Sequence, residues 1–452
     1  MTSPPAASAS AVPGARTGRR ALWFVVFTLV VLAPVALTYV GELGPPGPPG
    51  VEAGIFLGFL AMAVLCGQFA TTGRFQRLAR PVGQSTMMKF HRVTGIAALG
   101  LVLLHPVLLL WFEPAYLDFL DPRANRPRAA ALMLVVLATL GVVGVSLFRR
   151  RLGLSYEWWR LWHGALAGLV ILIGIVHINQ VAYYAGTPWK RGLWTALAGV
   201  ALGLLVDTRL VRPWRLRRRP WRVTQVRTEQ ERVWTLVLEP EGHAGLAFAT
   251  GQHVWLTLGD SPFSLQQHPF TIASADTQPA RIELTIKALG DFTSTIGQVQ
   301  LGQRAFLEGP YGASWLYAAG DRPLILLAGG IGITPFASAL RTLRARGMKR
   351  EVVLLHGAQT LAKATFHDEL SALAAELGGR YLPVLETPPA GWAGERGYLS
   401  RELLQRQLRP EQLARGLFVV CGPPAMLAHV RRELRALGVA RRQIHLEDFD
   451  MV

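Results

Sequence analysis

Four histidines lie in two long apolar stretches, two in each. Lys89-Phe90-His91-Arg92 runs on to Leu104-His105-Pro106, and Leu161-Trp162-His163-Gly164 runs on to Val176-His177-Ile178. Within each stretch the two histidines are fourteen residues apart. A helix advances about 1.5 Å and about 100° per residue, so this spacing covers roughly 21 Å and returns to within about 40° of one face. Each helix then presents two imidazoles on one side, separated by most of a bilayer core. If the helices face each other, His91 pairs with His163 and His105 with His177. A lone histidine in an apolar helix is ordinarily a polar residue with a satisfied hydrogen bond. Two matched pairs are a different case, because ionisable groups inside a membrane are costly and mark function. Two stacked bis-histidine sites suit two haems. Bare metal ions fit worse, since two ligands leave a zinc centre incomplete. Cys66 and Cys421 are too few for an iron–sulfur cluster, which needs about four ligands, and they form no disulfide framework.

A second group of motifs lies in the C-terminal half. His268-Pro269-Phe270-Thr271-Ile272-Ala273-Ser274 sits at a strand. A flavin needs a flat apolar wall, a hydrogen bond near its reactive edge and a cradle for pyrophosphate. Phe270 or Pro269 supplies surface, Thr271 the hydroxyl and His268 a contact to the cofactor. Ile286-Lys287-Ala288-Leu289-Gly290-Asp291-Phe292-Thr293-Ser294 offers a glycine turn with hydroxyls and amides suited to phosphate. A barrel strand and a polar turn would explain either motif alone; together they favour FAD. Leu326-Leu327-Ala328-Gly329-Gly330-Ile331-Gly332-Ile333-Thr334-Pro335 reads as strand, glycine turn and helix start. Glycine lets backbone approach a phosphate, and a helix N-terminus attracts anions. The form is GxGxxP rather than GxGxxG.

These residues must be held by elements of two kinds. The chain has 452 residues, enough for two or three domains. It is 51% hydrophobic with a mean hydropathy of +0.29, too apolar for an ordinary soluble enzyme. The apolar residues concentrate before about residue 206. Spans are predicted near 21–40, 51–70, 91–112, 129–148, 160–182 and 192–207, which makes six transmembrane helices. The first has no small-residue cleavage site behind it and reads as a retained helix. Residues 1–15, rich in Ala, Ser and Pro, are expected to be disordered, and Gly44 to Gly50 to form a turn. The loop after the second span carries Arg74, Arg77, Arg80 and Lys89, the loop after the fourth opens Arg149-Arg150-Arg151, and Arg217-Arg218-Arg219 follows the sixth. The alternate loops lack such an excess, which puts both termini in the cytoplasm. His91 and His163 then lie toward the cytoplasm, His105 and His177 toward the outside. The net charge of +18 is read as topology and contact with anionic lipid, not nucleic acid.

After Pro220-Trp221 the pattern changes. Trp234 to Leu238, His253 to Leu258 and Arg281 to Ile286 alternate like strands of a small antiparallel barrel. From Arg322 onward apolar strands (Leu324 to Ala328, Val352 to His356, Leu417 to Cys421) alternate with helical stretches, a doubly wound α/β pattern. The expected domains are a disordered N-terminus (1–20), a six-helix haem domain (21–207), a basic linker (208–221), an FAD-binding barrel (222–316) and an NAD(P)-binding domain (317–452).

HPFTIAS and the four histidines resemble the ferric reductase and NADPH oxidase family, over roughly residues 20–452. The likeness is to bacterial single-chain members. It implies a six-helix haem domain joined to a ferredoxin-reductase-like module that binds FAD and NAD(P)H. Lys287, Gly290, Thr293 and Ser294 would then hold the FAD pyrophosphate, with Ser274 beside them. Gly329, Gly330, Gly332, Thr334, Pro335 and Gly357 would take the nicotinamide nucleotide. Val420-Cys421-Gly422-Pro423-Pro424-Ala425-Met426 resembles the module's later CGP motif, which places Cys421, Gly422, Pro423 and Met426 near the nicotinamide. Phe449 would stack on the flavin and move aside. Thr271, Cys421 and Phe449 are thus the expected catalytic residues. The implied path runs from cytoplasmic NAD(P)H through FAD and two b-type haems to an acceptor outside, either oxygen or a ferric chelate. The alternatives are donation to a periplasmic redox protein, and a haem-binding membrane subunit with a degenerate reductase module. Gln359 stands where phosphate-selective relatives often carry arginine, which predicts loose or NADH-leaning use, although Lys363 or Arg396 could substitute.

Overall fold

The computed structural model describes residues 13–41, 46–72, 74–75, 78, 81–181 and 183–447. Phe449 and most of the stretch expected to be disordered lie outside these residues. The chain separates into two compact units that meet in sequence between Pro213 and Trp214.

The first unit is built of α1 (Pro13–Thr38), α2 (Pro49–Ala70), α3 (Gln84–Phe112), α4 (Arg126–Phe148), α5 (Tyr156–Val181) and α6 (Pro188–Val206). All six contain stretches long and apolar enough to cross a membrane, and the protein is a multi-pass membrane protein. Proline opens α2, α4 and α6, where its missing N–H is no loss. Asn125 caps α4, its side chain accepting from the Arg128 N–H. Within α1, the hydroxyl of Thr38 donates to the Pro34 carbonyl and accepts from the Trp194 indole, so a buried hydroxyl is fully used. Val35, Phe59, Met62, Ile171 and Trp194 form the bundle core. Val93 and Leu137 stay more than 60% exposed, as lipid-facing residues do.

Two boundaries differ from the sequence reading. Helix α3 begins at Gln84, well before the apolar run, so His91 sits inside a helix and not at its start. The basic stretch expected as a linker from residue 208 is helical as far as Leu216, first as a π turn (Asp207–Val211) and then as α7 (Arg212–Leu216). Asp207 pairs with Arg212 at 2.8 Å, and Arg212 also donates to the Arg74 carbonyl at 2.8 Å. Side-chain anchoring of this kind lets a polar, charged sequence continue a helix that hydropathy alone would end.

The second unit has two sheets. β1 (Trp221–Gln230), β2 (Val233–Pro240), β3 (His253–Leu258), β4 (His268–Thr271), β5 (Ile282–Lys287) and β6 (Arg304–Tyr311) form an antiparallel sheet in the order β4-β3-β6-β1-β2-β5. A single bridge between Ile272 and Leu284 joins its two ends and closes a barrel. Leu236, Leu238, Val254, Leu256, Ile282 and Leu284 fill the interior from alternate positions. A one-turn helix, α8 (Asp291–Ser294), follows β5. The second sheet is parallel, in the order β10-β9-β8-β7-β11-β12, from β7 (Leu324–Gly329), β8 (Val352–Ala358), β9 (Arg380–Leu385), β10 (Glu395–Arg396), β11 (Leu417–Cys421) and β12 (Ile444–Glu447). Helices α9 (Thr334–Ala345) and α10 (His367–Glu376) cover one face, and α11 (Arg401–Gln407) and α13 (Pro424–Ala436) the other, with α12 (Pro410–Arg415) leading into β11. The central strands are apolar throughout because both faces are covered.

Helix α9 also grips the barrel. Ser338 donates to the Ser274 carbonyl at 2.8 Å, and Arg341 donates to Ala273 at 2.9 Å and to Glu283 at 3.2 Å. Burial pushes the Glu283 carboxyl up, but Arg341 and Arg227 outweigh that and hold it below the usual carboxylate range. A folded value below the unfolded one of about 4.3 stabilises the fold at neutral pH, and the contribution is lost as the pH falls. Arg341→Leu should therefore cost about 2 kcal/mol at pH 7, because Glu283 loses its most buried arginine partner while Arg227 and Arg281 remain. The melting temperature of the purified chain should drop, and the gap to wild type should narrow from about pH 6 toward about pH 3. Equal melting temperatures at pH 7 would show that the pair does not hold the two sheets together.

Candidate haem and nucleotide sites

In the helical unit the four histidines fall into the two expected pairs. The ring centroids of His91 and His163 are 6.3 Å apart, and those of His105 and His177 are 6.4 Å apart. An imidazole nitrogen binds a metal at about 2 Å and lies about 1 Å from the ring centre, so two rings sharing one ion stand about 6 Å apart. Both pairs match that distance. Three of the four outer nitrogens are tied down. His105 Nδ1 donates to the Gly54 carbonyl at 2.7 Å. The Thr71 hydroxyl gives its proton to the Gln68 carbonyl and so accepts from His91 Nδ1 at 3.0 Å. Ser146 gives its proton to the Val142 carbonyl and accepts from His163 Nδ1 at 3.0 Å. With Nδ1 carrying the proton, Nε2 holds the lone pair in each of these three rings, which is the form a metal needs. Among the described residues no group of three or more metal-binding side chains exists. Two ligands per site suit a haem, whose macrocycle supplies the rest.

Small residues make room for the rings. A Cβ on Gly58 would lie 2.8 Å from two atoms of the His105 ring, so α2 must carry glycine there. One turn beyond His91, a Cβ on Gly95 would meet only Gln68, at 4.0 Å, which leaves open space beside the helix.

The flavin motif occupies β4, at the end of the sheet order and beside the barrel's closing bridge. His268, Pro269 and Phe270 are half-buried, and Thr271 is buried opposite His253. The His268 ring stacks on Phe292 at 4.2 Å, and Phe270 lies parallel to Phe292 at 6.2 Å. Phe292 comes from α8, so the two motifs read separately in the sequence meet through this ring. Lys287 and Gly290 are exposed at the end of β5. The Thr293 hydroxyl accepts from the Leu289 and Gly290 amides, both at 2.9 Å, which shapes the turn. Ser294 is exposed beside it. Ser274 is buried, its hydroxyl accepting from the Glu283 amide at 3.2 Å. A half-buried flat layer next to an exposed lysine and an open glycine turn fits a flavin nucleotide.

The nucleotide motifs meet at the C-terminal ends of β7, β8 and β11, where an open parallel sheet binds ligands. Ala328 pairs with Cys421, and Gly329 with Gly357. The approach is backbone on backbone. A Cβ on Gly332 would sit 2.3 Å from the Cys421 carbonyl oxygen, and one on Gly422 3.2 Å from the Gly329 Cα. Gly330 has a φ of 52°, in the left-handed region that favours glycine. Thr334 and Pro335 are buried at the start of α9. Pro423 and Met426 pack over Gly329. The Cys421 side chain is fully buried in the apolar cluster on the α9 face, so it is the residue's carbonyl that meets the turn.

Sequence reasoning passed over several contributors. Ser146 was detectable as an isolated hydroxyl in an apolar helix, and Thr71 only as one of two threonines that end another. His356 and Phe292 gave no sign of their partners, because these come from distant segments.

Three family models match the chain in order. Residues 57–174 match the ferric reductase like transmembrane component, residues 221–315 an FAD-binding domain and residues 326–432 an oxidoreductase NAD-binding domain. An NADPH oxidoreductase of Mycobacterium tuberculosis is 32% identical over 270 residues, covering 58% of this chain and 69% of that protein. The chain belongs to the ferric reductase and NADPH oxidase-like family. In it a ferric-reductase-like transmembrane domain is followed by an FAD-binding and an oxidoreductase NAD-binding domain. NADH-cytochrome b5 reductase 1 of Pyricularia oryzae is 33% identical over 187 residues, 40% of this chain, and the chain spans 60% of that reductase's length. A flavohemoglobin from Malassezia yamatoensis, solved with bound FAD and heme, has a TM-score of 0.47 and 21% identity over 75% of this chain and 91% of that one.

The Gly58 contact can be tested directly. Gly58→Leu drives a side chain into the His105 ring; if each histidine pair takes one haem, the purified variant should carry about half the wild-type haem, with the His91/His163 spectrum intact. Full haem content in the variant would remove Gly58 from the site.

Proposed function

We propose that this chain moves electrons from cytoplasmic NAD(P)H across the membrane to an acceptor on the far side. The reading rests on one observation above others: two facing imidazole pairs, at 6.3 and 6.4 Å, in the same chain as FAD- and NAD-binding domains. When bound, FAD takes up a hydride and gives out single electrons, and two b-type haems carry them onward.

The protein's own part is binding and placement. His91 and His163 would hold the inner haem, and His105 and His177 the outer one. With two imidazoles given to each site, no open metal position would remain for oxygen or a ferric chelate, so the acceptor would be met at the periphery of the outer site. His268, Phe270 and Phe292 form the flat wall for the flavin, and Thr271 offers a hydroxyl near its reactive edge. Lys287, Gly290 and Ser294 face its phosphates. The turn from Gly329 to Pro335 receives the nucleotide's pyrophosphate on backbone amides. Gly422, Pro423, Met426 and the backbone of Cys421 would border the nicotinamide. The arginine-rich loops support a cytoplasmic placement of both termini. On this reading residues 21–207 are the haem domain, 222–316 the FAD domain and 317–452 the NAD(P) domain.

Lys363 donates to the Gln359 side chain at 2.6 Å. The lysine is engaged there, which supports use of both nucleotides over a strict need for the phosphorylated one. NADH should sustain dye reduction at a rate comparable with NADPH. A tenfold or greater deficit with NADH would mean that a phosphate site has been overlooked.

Anaerobic mixing of the FAD-loaded protein with NADH, followed through the haem spectrum, tests the whole path. Reduction of a low-spin bis-histidine spectrum is the expected result. Reoxidation rates on adding oxygen or ferric chelate then rank the acceptors. His105→Ala should lose the outer haem and acceptor reduction while keeping NADH-to-dye transfer. Flavin bleaching without haem reduction in wild type would refute transfer between the domains.

A further inference from the structure

His356 lies near the C-terminal end of β8, directly before Gly357, and it is 0% exposed. Both of its ring nitrogens are used. Nε2 lies 3.2 Å from the carbonyl oxygen of Gly330, and Nδ1 lies 3.0 Å from the Tyr381 hydroxyl. A carbonyl only accepts, so Nε2 carries the proton and Nδ1 accepts from the phenol. Burial lowers the ring's pKa to about 4, which keeps it neutral. Tyr381 also reaches His367 Nδ1, at 3.5 Å, on the neighbouring helix α10. The chain of contacts thus runs from α10 through β9 and β8 into the glycine turn.

What the histidine holds is the feature that matters. Gly330 is the left-handed residue of the turn, with a φ of 52°. Backbone bent in this way gathers successive N–H groups into a concave anion site. Glycine also lets its neighbouring peptide planes rotate at little cost. If the Gly330 carbonyl swung toward the concavity, its oxygen would face the pyrophosphate and repel it. Drawn onto His356 Nε2, the carbonyl is anchored to a strand that itself cannot move. We propose that His356 is a positioning residue for nicotinamide-nucleotide binding. It locks the Gly330 peptide with its oxygen away from the phosphates, and Tyr381 locks the histidine. Neither side chain touches the nucleotide. This rests on the reading of the glycine turn as the pyrophosphate site.

The test uses the full chain loaded with FAD and measures NADH-to-dye kinetics together with equilibrium binding of NAD. His356→Leu removes the donor, and His356→Gln keeps an N–H at the place of Nε2. In His356→Leu the KM for NADH should rise about tenfold, with NAD binding weakened to match and kcat within about twofold. His356→Gln should recover most of the affinity. Tyr381→Phe frees the ring and should raise KM by a smaller factor, also at constant kcat. An unchanged KM in His356→Leu overturns the proposal. So does an equal rise in the leucine and glutamine variants, which would indicate a packing role. If His356→Leu does not fold, Tyr381→Phe decides alone, and a wild-type KM there refutes the lock. Wild-type protein that neither binds NAD nor oxidises NADH would instead refute the nucleotide site itself.

Discussion

An imidazole inside an apolar helix bundle has two nitrogens and no water to satisfy either. One of them must find a protein partner before the other can serve a metal. Much of the helical unit follows from that requirement. Helix α2 gives up a backbone carbonyl at Gly54 to His105 and supplies Gly58, whose missing side chain leaves room for the ring. Thr71 and Ser146, at the ends of α2 and α4, take the protons of His91 and His163. The histidine-bearing helices α3 and α5 are therefore oriented by their neighbours as much as by each other. A bundle held only by leucine packing would leave the rings free to turn, and the sites would lose their geometry.

The soluble unit solves a related problem with charge. Its two sheets differ in type and hand no strand to each other. They are joined through α9, which begins at the nucleotide turn and ends beside the barrel. Arg341 on this helix and Arg346 at its C-cap reach Glu283 and Asp276, both buried carboxylates of the barrel side. Ser338 and Thr342 add hydrogen bonds to the segment that follows the flavin strand. The residues expected to hold FAD and those expected to hold the nucleotide are in this way fixed to one short helix, which sets their mutual position.

Local signals made most of the architecture legible in the sequence. Hydropathy marked the helices, period-two alternation marked β2, β3 and β5, and the run from Leu324 to Pro335 announced its own strand, turn and helix. The matched spacing of His91/His105 and His163/His177 was enough to pair the four rings. Three things escaped, each for a physical reason. The helix through residues 207–216 is stabilised by Asp207 and by the Arg74 carbonyl, the latter a contact far away in sequence. β1 has polar residues at seven of its ten positions and resembles a linker until its partners are known. The Tyr381–His356–Gly330 chain joins three segments that carry no common motif. Spacing within one element is readable; hydrogen bonds between elements are not.

The three glycines that pack together at the sheet's edge are unequal. At Gly329 the nearest obstacle to a side chain is the Met426 sulfur, and at Gly422 it is the same atom. Both are the far end of a flexible thioether, which could swing aside. At Gly332 the obstacle is the Cys421 carbonyl oxygen with the Gly422 amide behind it, at 2.3 and 2.9 Å. Those atoms belong to β11 and to the peptide that follows it, and they move only if the parallel sheet itself is re-registered. Descendants of this chain could thus drift at Gly329 through a compensating change at Met426, whereas at Gly422 the Gly329 backbone still stands 3.2 Å away. Gly332 has no such single-step escape, and its identity is bound to the register between β7 and β11.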